Sequence, residues 1–185
     1  EDSIELQNYL KEIEKKLSVI IRFAFQDYYG NSKPMGTADA IFQAMNQFPI
    51  LKSSRFIVCN SDNIYSVKAI KTLKLELTFN SMIAYNSKWL DFSEEKISSF
   101  SILDIKNKFL YKIIEKPTIS HIRNITEEKF VSMNIFSFFG DQVYGYLSNC
   151  EVNQDRGEKE IATAIQNMIN DRNESIKVFK ICEHV

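Results

Sequence analysis

The chain has 185 residues, 44% hydrophobic and 12% aromatic, enough apolar material for a substantial core and for one domain. Charged residues make up 25% and nearly cancel, to a net charge of −1, which excludes nucleic acid and an anionic membrane surface as electrostatically driven partners. No apolar run approaches the ~20 residues that span a bilayer.

Leu6, Tyr9, Leu10, Ile13 and Leu17 recur at three-to-four spacing, and Asp2 or Ser3 can cap the start, so residues 3–17 read as an amphipathic helix facing the core. Ser18 to Phe25 is β-branched and aromatic and reads as a strand. Gln26 to Gly36 carries Gly30, Asn31, Ser32 and Pro34 and reads as a loop. Thr37 is the expected N-cap of a helix through Gln47, with Ala38, Ile41, Ala44, Met45 and Phe48 on one face. A strand over 55–60 follows, then a helix over 66–75 burying Val67, Ile70 and Leu73, then a strand over 81–85. This alternation is the pattern of a parallel sheet with right-handed crossovers. After Trp89 it breaks. Strands near 99–104, 109–115 and 130–139 lack a helix between the first two, which predicts an antiparallel extension. Helices over 140–149 and 158–170 and a strand over 176–181 complete the chain. The predicted class is α/β, a Rossmann-like three-layer domain with a mostly parallel mixed sheet.

Cys59, Cys150 and Cys182 are odd in number and far apart, which fits reduced thiols in or near the core better than disulfides or a zinc site. His121 and His184 belong to no cluster with metal-ligand spacing. Glu1-Asp2-Ser3 lacks the basic and apolar regions of a signal peptide, so the cytoplasm is the expected location.

Four short pieces have the chemistry of a site. Gly36-Thr37-Ala38 sets free backbone N–H groups at a helix start, suited to an anion or the polar edge of a ligand. Asp62 follows the strand Phe56 to Cys59, where open α/β sheets place ligand chemistry, and Asn60, Ser61 and Asn63 flank it, a polar cluster suited to hydrated Mg²⁺. Glu115-Lys116-Pro117 ends an apolar strand with opposite charges and a proline; the lysine is a point charge for a phosphate and the glutamate an acceptor for sugar hydroxyls. Arg156-Gly157-Glu158-Lys159-Glu160 opens a helix, where carboxylates are favoured by the dipole. Each piece alone also describes ordinary turns, caps and strand ends.

In this order, with Gln26 before a first piece that runs Gly36-Thr37-Ala38-Asp39-Ala40, and Ser132-Met133-Asn134-Ile135-Phe136 before a last piece that runs on to Ile161, the pieces resemble the sugar-phosphate nucleotidylyltransferases, which make nucleotide sugars from a nucleoside triphosphate and a sugar 1-phosphate. The resemblance covers nearly the whole chain. It implies that Gln26 reads the base edge, that the backbone at Gly36 and Thr37 binds the nucleotide, and that Asp62 holds Mg²⁺ beside the phosphates. It further implies that Glu115, Asn134 and Glu158 line the sugar side and that Lys116 neutralises the sugar phosphate, with Asp62 and Lys116 as the catalytic groups. The implied partners are the two substrates, with neither nucleic acid nor membrane; self-association into a homo-oligomer is left open.

Two departures qualify this. The family's glycine-rich loop with a basic catalytic residue would lie before Glu1, and its second metal-binding aspartate beyond Val185. The expectation is therefore a single catalytic domain over 1–185, incomplete at both ends and inactive alone. The loop from Asp27 to Met35 is also long for the family, which bears on the role of Gln26. Two other readings stand beside the enzyme: a non-catalytic regulatory or scaffold paralogue that binds a nucleotide sugar, and a glycosyltransferase of similar topology, for which the chain lacks an Asp-x-Asp pair.

Overall fold

In a computed structural model describing residues 2–171 and 175–184, the chain starts with helix α1 (Asp2–Leu17). Its apolar positions do not meet a core. Leu6, Tyr9 and Leu17 are 57%, 60% and 62% exposed, and only Leu10 and Ile13 on that face are half-buried. The capping side chains of Asp2 and Ser3 lie outside the description. Ser18 to Phe25 is not a strand, because no strand stands beside it to complete a ladder. The segment stays irregular, and side chains take up some of its main-chain groups, among them Ile21 N–H, which donates to Glu14 Oε1 at 2.8 Å.

The remaining elements fall close to expectation. They are α2 (Thr37–Gln47), a 3-10 turn (Pro49–Ser53), β1 (Arg55–Cys59), α3 (Val67–Leu75) and β2 (Asn80–Asn86). A second 3-10 turn (Ser87–Trp89) precedes α4 (Glu94–Ile97), and β3 (Ser101–Lys106) and β4 (Phe109–Ile114) form a hairpin. The hairpin turn is Asn107-Lys108, both at positive φ, as a tight two-residue connection demands. Then come α5 (Ile119–Asn124), β5 (Phe130–Phe139), α6 (Gly140–Ser148), α7 (Ile161–Asp171) and β6 (Ile176–Ile181). Short helices unforeseen in the sequence are fixed by hydroxyl caps: Ser93 accepts from Lys96 N–H in α4, and Thr118 from His121 N–H in α5.

The sheet has the order β1-β5-β2-β6-β4-β3, with β3 also pairing β5. It corrects the expected mostly parallel ladder. Among the described residues only β2 and β6 pair in parallel, while β1–β5, β2–β5, β3–β4, β3–β5 and β4–β6 are antiparallel. The reason is β5, which runs opposite to its neighbours and slots between β1 and β2. Strands that follow each other through helical crossovers therefore share a direction without touching.

Helices cover both faces of the sheet. On one, Ala38 and Met45 of α2, Val143 and Leu147 of α6 and Ile165 and Met168 of α7 pack on Met82, Phe136 and Phe138. On the other, Ala69 and Leu73 of α3, Ile97 of α4 and Ile122 of α5 pack on Ile83, Tyr85 and Ile135. Alternate residues of β2 thus serve different cores, and the strand is buried throughout, as central strands with helices on both sides are. In α3 the buried pair is Ala69 and Leu73; Val67 and Ile70 are 68% and 42% exposed, contrary to expectation. All three cysteines are free, and of the three only Cys150 is buried.

The start of α6 allows no side chain. A Cβ on Gly140 would lie 1.8 Å from the Leu51 carbonyl oxygen, and Gly140 N–H donates to Ser54 O at 2.9 Å, so the 3-10 turn before β1 is pressed against the end of β5. Gly140→Ala is expected to cost about 3 kcal/mol as an overpacking change, or roughly 6–12 °C in melting temperature for a chain of this size. Thermal unfolding followed by circular dichroism checks this; an unchanged midpoint would contradict it.

Candidate active site

Residues 25–27 have no neighbouring strand, and two glutamines one turn apart on α2 take its place. Gln47 accepts from Phe25 N–H at 3.0 Å and donates to Phe25 O at 2.8 Å; Gln43 does the same at Asp27, at 2.6 and 2.9 Å. The match is geometric: four residues of helix rise about 6 Å, close to the ~6.6 Å that two extended residues span. Between these anchors, Gln26 Nε2 donates to Gly36 O (3.2 Å) and to Oδ2 of Asp39 (3.0 Å), which is buried and also receives Gln43 Nε2 at 2.7 Å. The Gly36 carbonyl can only accept, so the amide nitrogen of Gln26 faces it. Its Oε1 is left as an acceptor without a partner among the described residues.

Gly36, not Thr37, is the N-cap of α2. The Thr37 hydroxyl instead accepts from Ile161 N–H (3.2 Å), the first residue of α7. Lys159 N–H donates to Met35 O at 2.6 Å and Ala38 N–H to Lys159 O at 3.0 Å. These bonds hold residues 158–160 out of helical geometry, so α7 begins at Ile161 and Glu158 lies in a loop rather than a first helical turn. They also explain Gly36. Its φ is +99°, and a Cβ would lie 2.7 Å from Lys159 O and 3.1 Å from Glu158 Cβ.

Gln26, Gly36, Thr37, Glu115, Lys116, Asn134 and Glu158 all line one cleft of about 520 Å³. An apolar pocket of about 460 Å³ between α2 and β1 adjoins it, sharing Thr37, Ala40, Asn60, Asn134 and Ile161. Glu115 is held by the Ser101 hydroxyl and lies 3.7 Å from the Arg156 guanidinium, which also pairs with Glu160. Lys116 is exposed, at φ 42° before the buried Pro117, and makes no hydrogen bond or ion pair among the described residues. Asn134 stands at φ 53° inside β5, where the register with β2 slips: Met82 faces Phe136 but Ala84 faces Ser132. Asparagine tolerates this left-handed conformation better than most side chains, and strained residues of this kind cluster at functional sites.

Asp62 stands apart from the other residues. It occupies an exposed turn after β1, and it is Asn60 that reaches the cleft. The turn is nonetheless anchored to the irregular part of β5, since Tyr65 OH and Asn63 Nδ2 donate to Met133 O at 2.6 and 3.3 Å. Among the described residues no three histidine, cysteine or acidic side chains group as a metal site. One carboxylate beside asparagine and serine still suits an ion that takes most of its ligands from water and substrate phosphates.

Sequence reasoning missed Lys33, Asp39, Gln43 and Arg156. Arg156 stood inside a noted motif, and Lys33 is the only cation of the loop from Asp27 to Met35. Asp39 stood inside the motif Gly36-Thr37-Ala38-Asp39-Ala40 without a role assigned to it, and Gln43, four residues on in α2, gave no signal beyond a polar helix position.

The sequence matches the nucleotidyl transferase family model over residues 1–182, and the chain belongs to that family. A search of curated proteins found no match. Among solved structures, a protein assigned as a glucose-1-phosphate thymidylyltransferase from Bacillus anthracis, in complex with a sucrose, superimposes with a TM-score of 0.62 at 18% identity, over 90% of this chain and 59% of that one. UDP-glucose pyrophosphorylase complexed with UDP-glucose gives 0.60 at 15% identity, over 96% of this chain and 65% of that one. At these identities the likeness is one of fold. The chain spans less than two thirds of the length of either structure.

Gly36→Ala is expected to strain both the backbone and its contact with Lys159, at a cost of about 1–3 kcal/mol. Thermal unfolding checks this; an unchanged midpoint would show that the contact is unimportant.

Proposed function

We propose that the protein containing this chain is a sugar-1-phosphate nucleotidylyltransferase, making a nucleotide sugar and pyrophosphate from a nucleoside triphosphate and a sugar 1-phosphate. What carries the reading is the set of groups in one cleft. The fixed amide of Gln26 and the backbone of Gly36 and Thr37 line it together with the cations Lys116 and Arg156 and the polar groups Glu115, Asn134 and Glu158, and we assign the first set to the nucleotide and the second to the sugar phosphate. We further propose that residues 1–185 form one Rossmann-like three-layer catalytic unit of that protein.

In this reading Gln26 Oε1 accepts an N–H of the base, and the helix start at Thr37 faces the nucleotide. A phosphate oxygen of the sugar 1-phosphate attacks the α-phosphorus of the triphosphate; the new P–O bond forms as the α–β bridge breaks and pyrophosphate leaves. Both reactants are anions, so bringing them together requires positive charge and alignment more than a protein nucleophile. Lys116 is the unpaired cation and takes the sugar phosphate, with Arg156 behind it. Asp62 would hold Mg²⁺, which when bound neutralises phosphate charge.

Two substitutions test these roles in the protein that contains the chain. Asp62→Asn keeps the shape and removes the charge, so pyrophosphate release is expected to fall at least ~10²-fold at saturating Mg²⁺; near-normal turnover would rule the role out. Lys116→Met is expected to raise KM for the sugar 1-phosphate far more than KM for the triphosphate, with the melting temperature unchanged. Equal weakening of both substrates would remove Lys116 from the sugar phosphate.

A further inference from the structure

Lys33 reaches out of the loop between Gln26 and Gly36 to the segment before α7, 125 residues away in sequence. Its ammonium donates to Glu158 Oε1 and to Arg156 O, both at 2.7 Å. The partners are 53% and 35% exposed, so this pair adds little to the stability of the fold. Its effect is on where Glu158 stands. The main chain there is already pinned, with Asn153 N–H donating to Glu158 O at 2.8 Å and Lys159 N–H to Met35 O at 2.6 Å. With Oε1 taken by Lys33, Oε2 is the one carboxylate oxygen without a partner among the described residues, on a side chain that lines the cleft.

We propose that Lys33 is a positioning residue for sugar recognition: it holds Glu158 so that one carboxylate oxygen accepts from a sugar hydroxyl, and it keeps that carboxylate from pairing with Lys116. The proposal rests on the reading that Glu158 faces the sugar. Three cations act on Glu158 and keep its carboxyl below the ordinary value, first the hydrogen bond and charge of Lys33, then Lys116 and Arg156. Without Lys33 the carboxylate is left to the other two. Pairing with Lys116 would occupy the phosphate cation and the sugar acceptor together. An acceptor already fixed in place loses less freedom when the sugar binds, and that difference appears as affinity for the sugar half alone.

The test compares the nucleoside diphosphate of each base with its glucose-linked form, UDP with UDP-glucose and dTDP with dTDP-glucose among them, by calorimetric titration of the protein that contains the chain. The quantity read is the gain in affinity that the sugar confers. Lys33→Met is expected to reduce this gain about tenfold while leaving diphosphate affinity and melting temperature unchanged, and Lys33→Arg is expected to keep most of it. In a Glu158→Gln background, Lys33→Met should cost nothing further, because its effect passes through Glu158. The proposal is overturned by an undiminished gain in Lys33→Met, by equal weakening of the diphosphate and its sugar form, or by an undiminished effect in the Glu158→Gln background. If the unaltered chain binds diphosphates without favouring their sugar forms, the role of Lys33 fails and the nucleotide reading stands. If it binds no nucleoside diphosphate of any base, alone or sugar-linked, the proposed function itself fails, and the role of Lys33 with it.

Discussion

The main-chain contact between residues 35–38 and 158–161 is the constraint on which the cleft depends. Two helices begin there, and each completes the other's end: Thr37 supplies the hydroxyl that satisfies the first N–H of α7, and Lys159 supplies the carbonyl that satisfies Ala38 N–H of α2. Helix starts leave N–H groups without intrahelical partners, so two ends brought together can satisfy one another without water. Such close approach leaves no room for a Cβ at Gly36. The consequence is a fixed distance between residues far apart in the chain. Gln26, tied to Gly36 O and Asp39, and Glu158, one residue before Lys159, are held by the same contact.

β5 sets the other wall. Along one edge it pairs β2; along the other, residues 130–132 pair β3 and residues 135–139 pair β1. The change of neighbour falls at Met133 and Asn134, where the β2 register slips and Asn134 turns left-handed. Extra residues in one strand, here two in β5, free main-chain groups from the ladder and redirect a side chain. Here the freed Met133 carbonyl accepts from Tyr65 and Asn63, which ties the turn bearing Asp62 to the strand, while Asn134 reaches the cleft. The irregularity that interrupts the sheet is therefore also what builds the site.

Much of this was legible in the sequence, and the failures have a shared physical cause. Strands over 55–59, 130–139 and 176–181 and the helix over 37–47 follow from periodicity and capping, which are local. Seven of the eight residues singled out line the cleft, because motif order reflects a chain path. What was lost is what periodicity cannot carry. Ser18 to Phe25 has the composition of a strand, but a strand exists only with a ladder partner, and side chains hold it instead. The apolar spacing of α1 and of Val67 and Ile70 states which residues share a face, not whether anything lies opposite that face. The insertion of β5 between β1 and β2 depends on contacts across more than forty residues, so a parallel sheet was the natural reading of helix-strand alternation.

Charge in the cleft is nearly self-cancelling, and the way it cancels ranks its groups. Lys33, Lys116 and Arg156 stand against Glu115, Glu158 and Glu160. Arg156 is shared between Glu115 and Glu160, and Lys33 is paired with Glu158, so the charge of each is already offset by a carboxylate. Lys116 has no such commitment. Its left-handed backbone before Pro117 is strained for a lysine, a conformation sustained where the surroundings fix it: the proline behind it is buried, and Glu115 before it is held by Ser101 and Arg156. Strain of that kind keeps an ammonium presented and unpaired in a site otherwise rich in partners for it. In the proposed reading the carboxylates thus do two things at once: they offer acceptors to sugar hydroxyls, and by pairing with the other cations they leave Lys116 for an incoming phosphate.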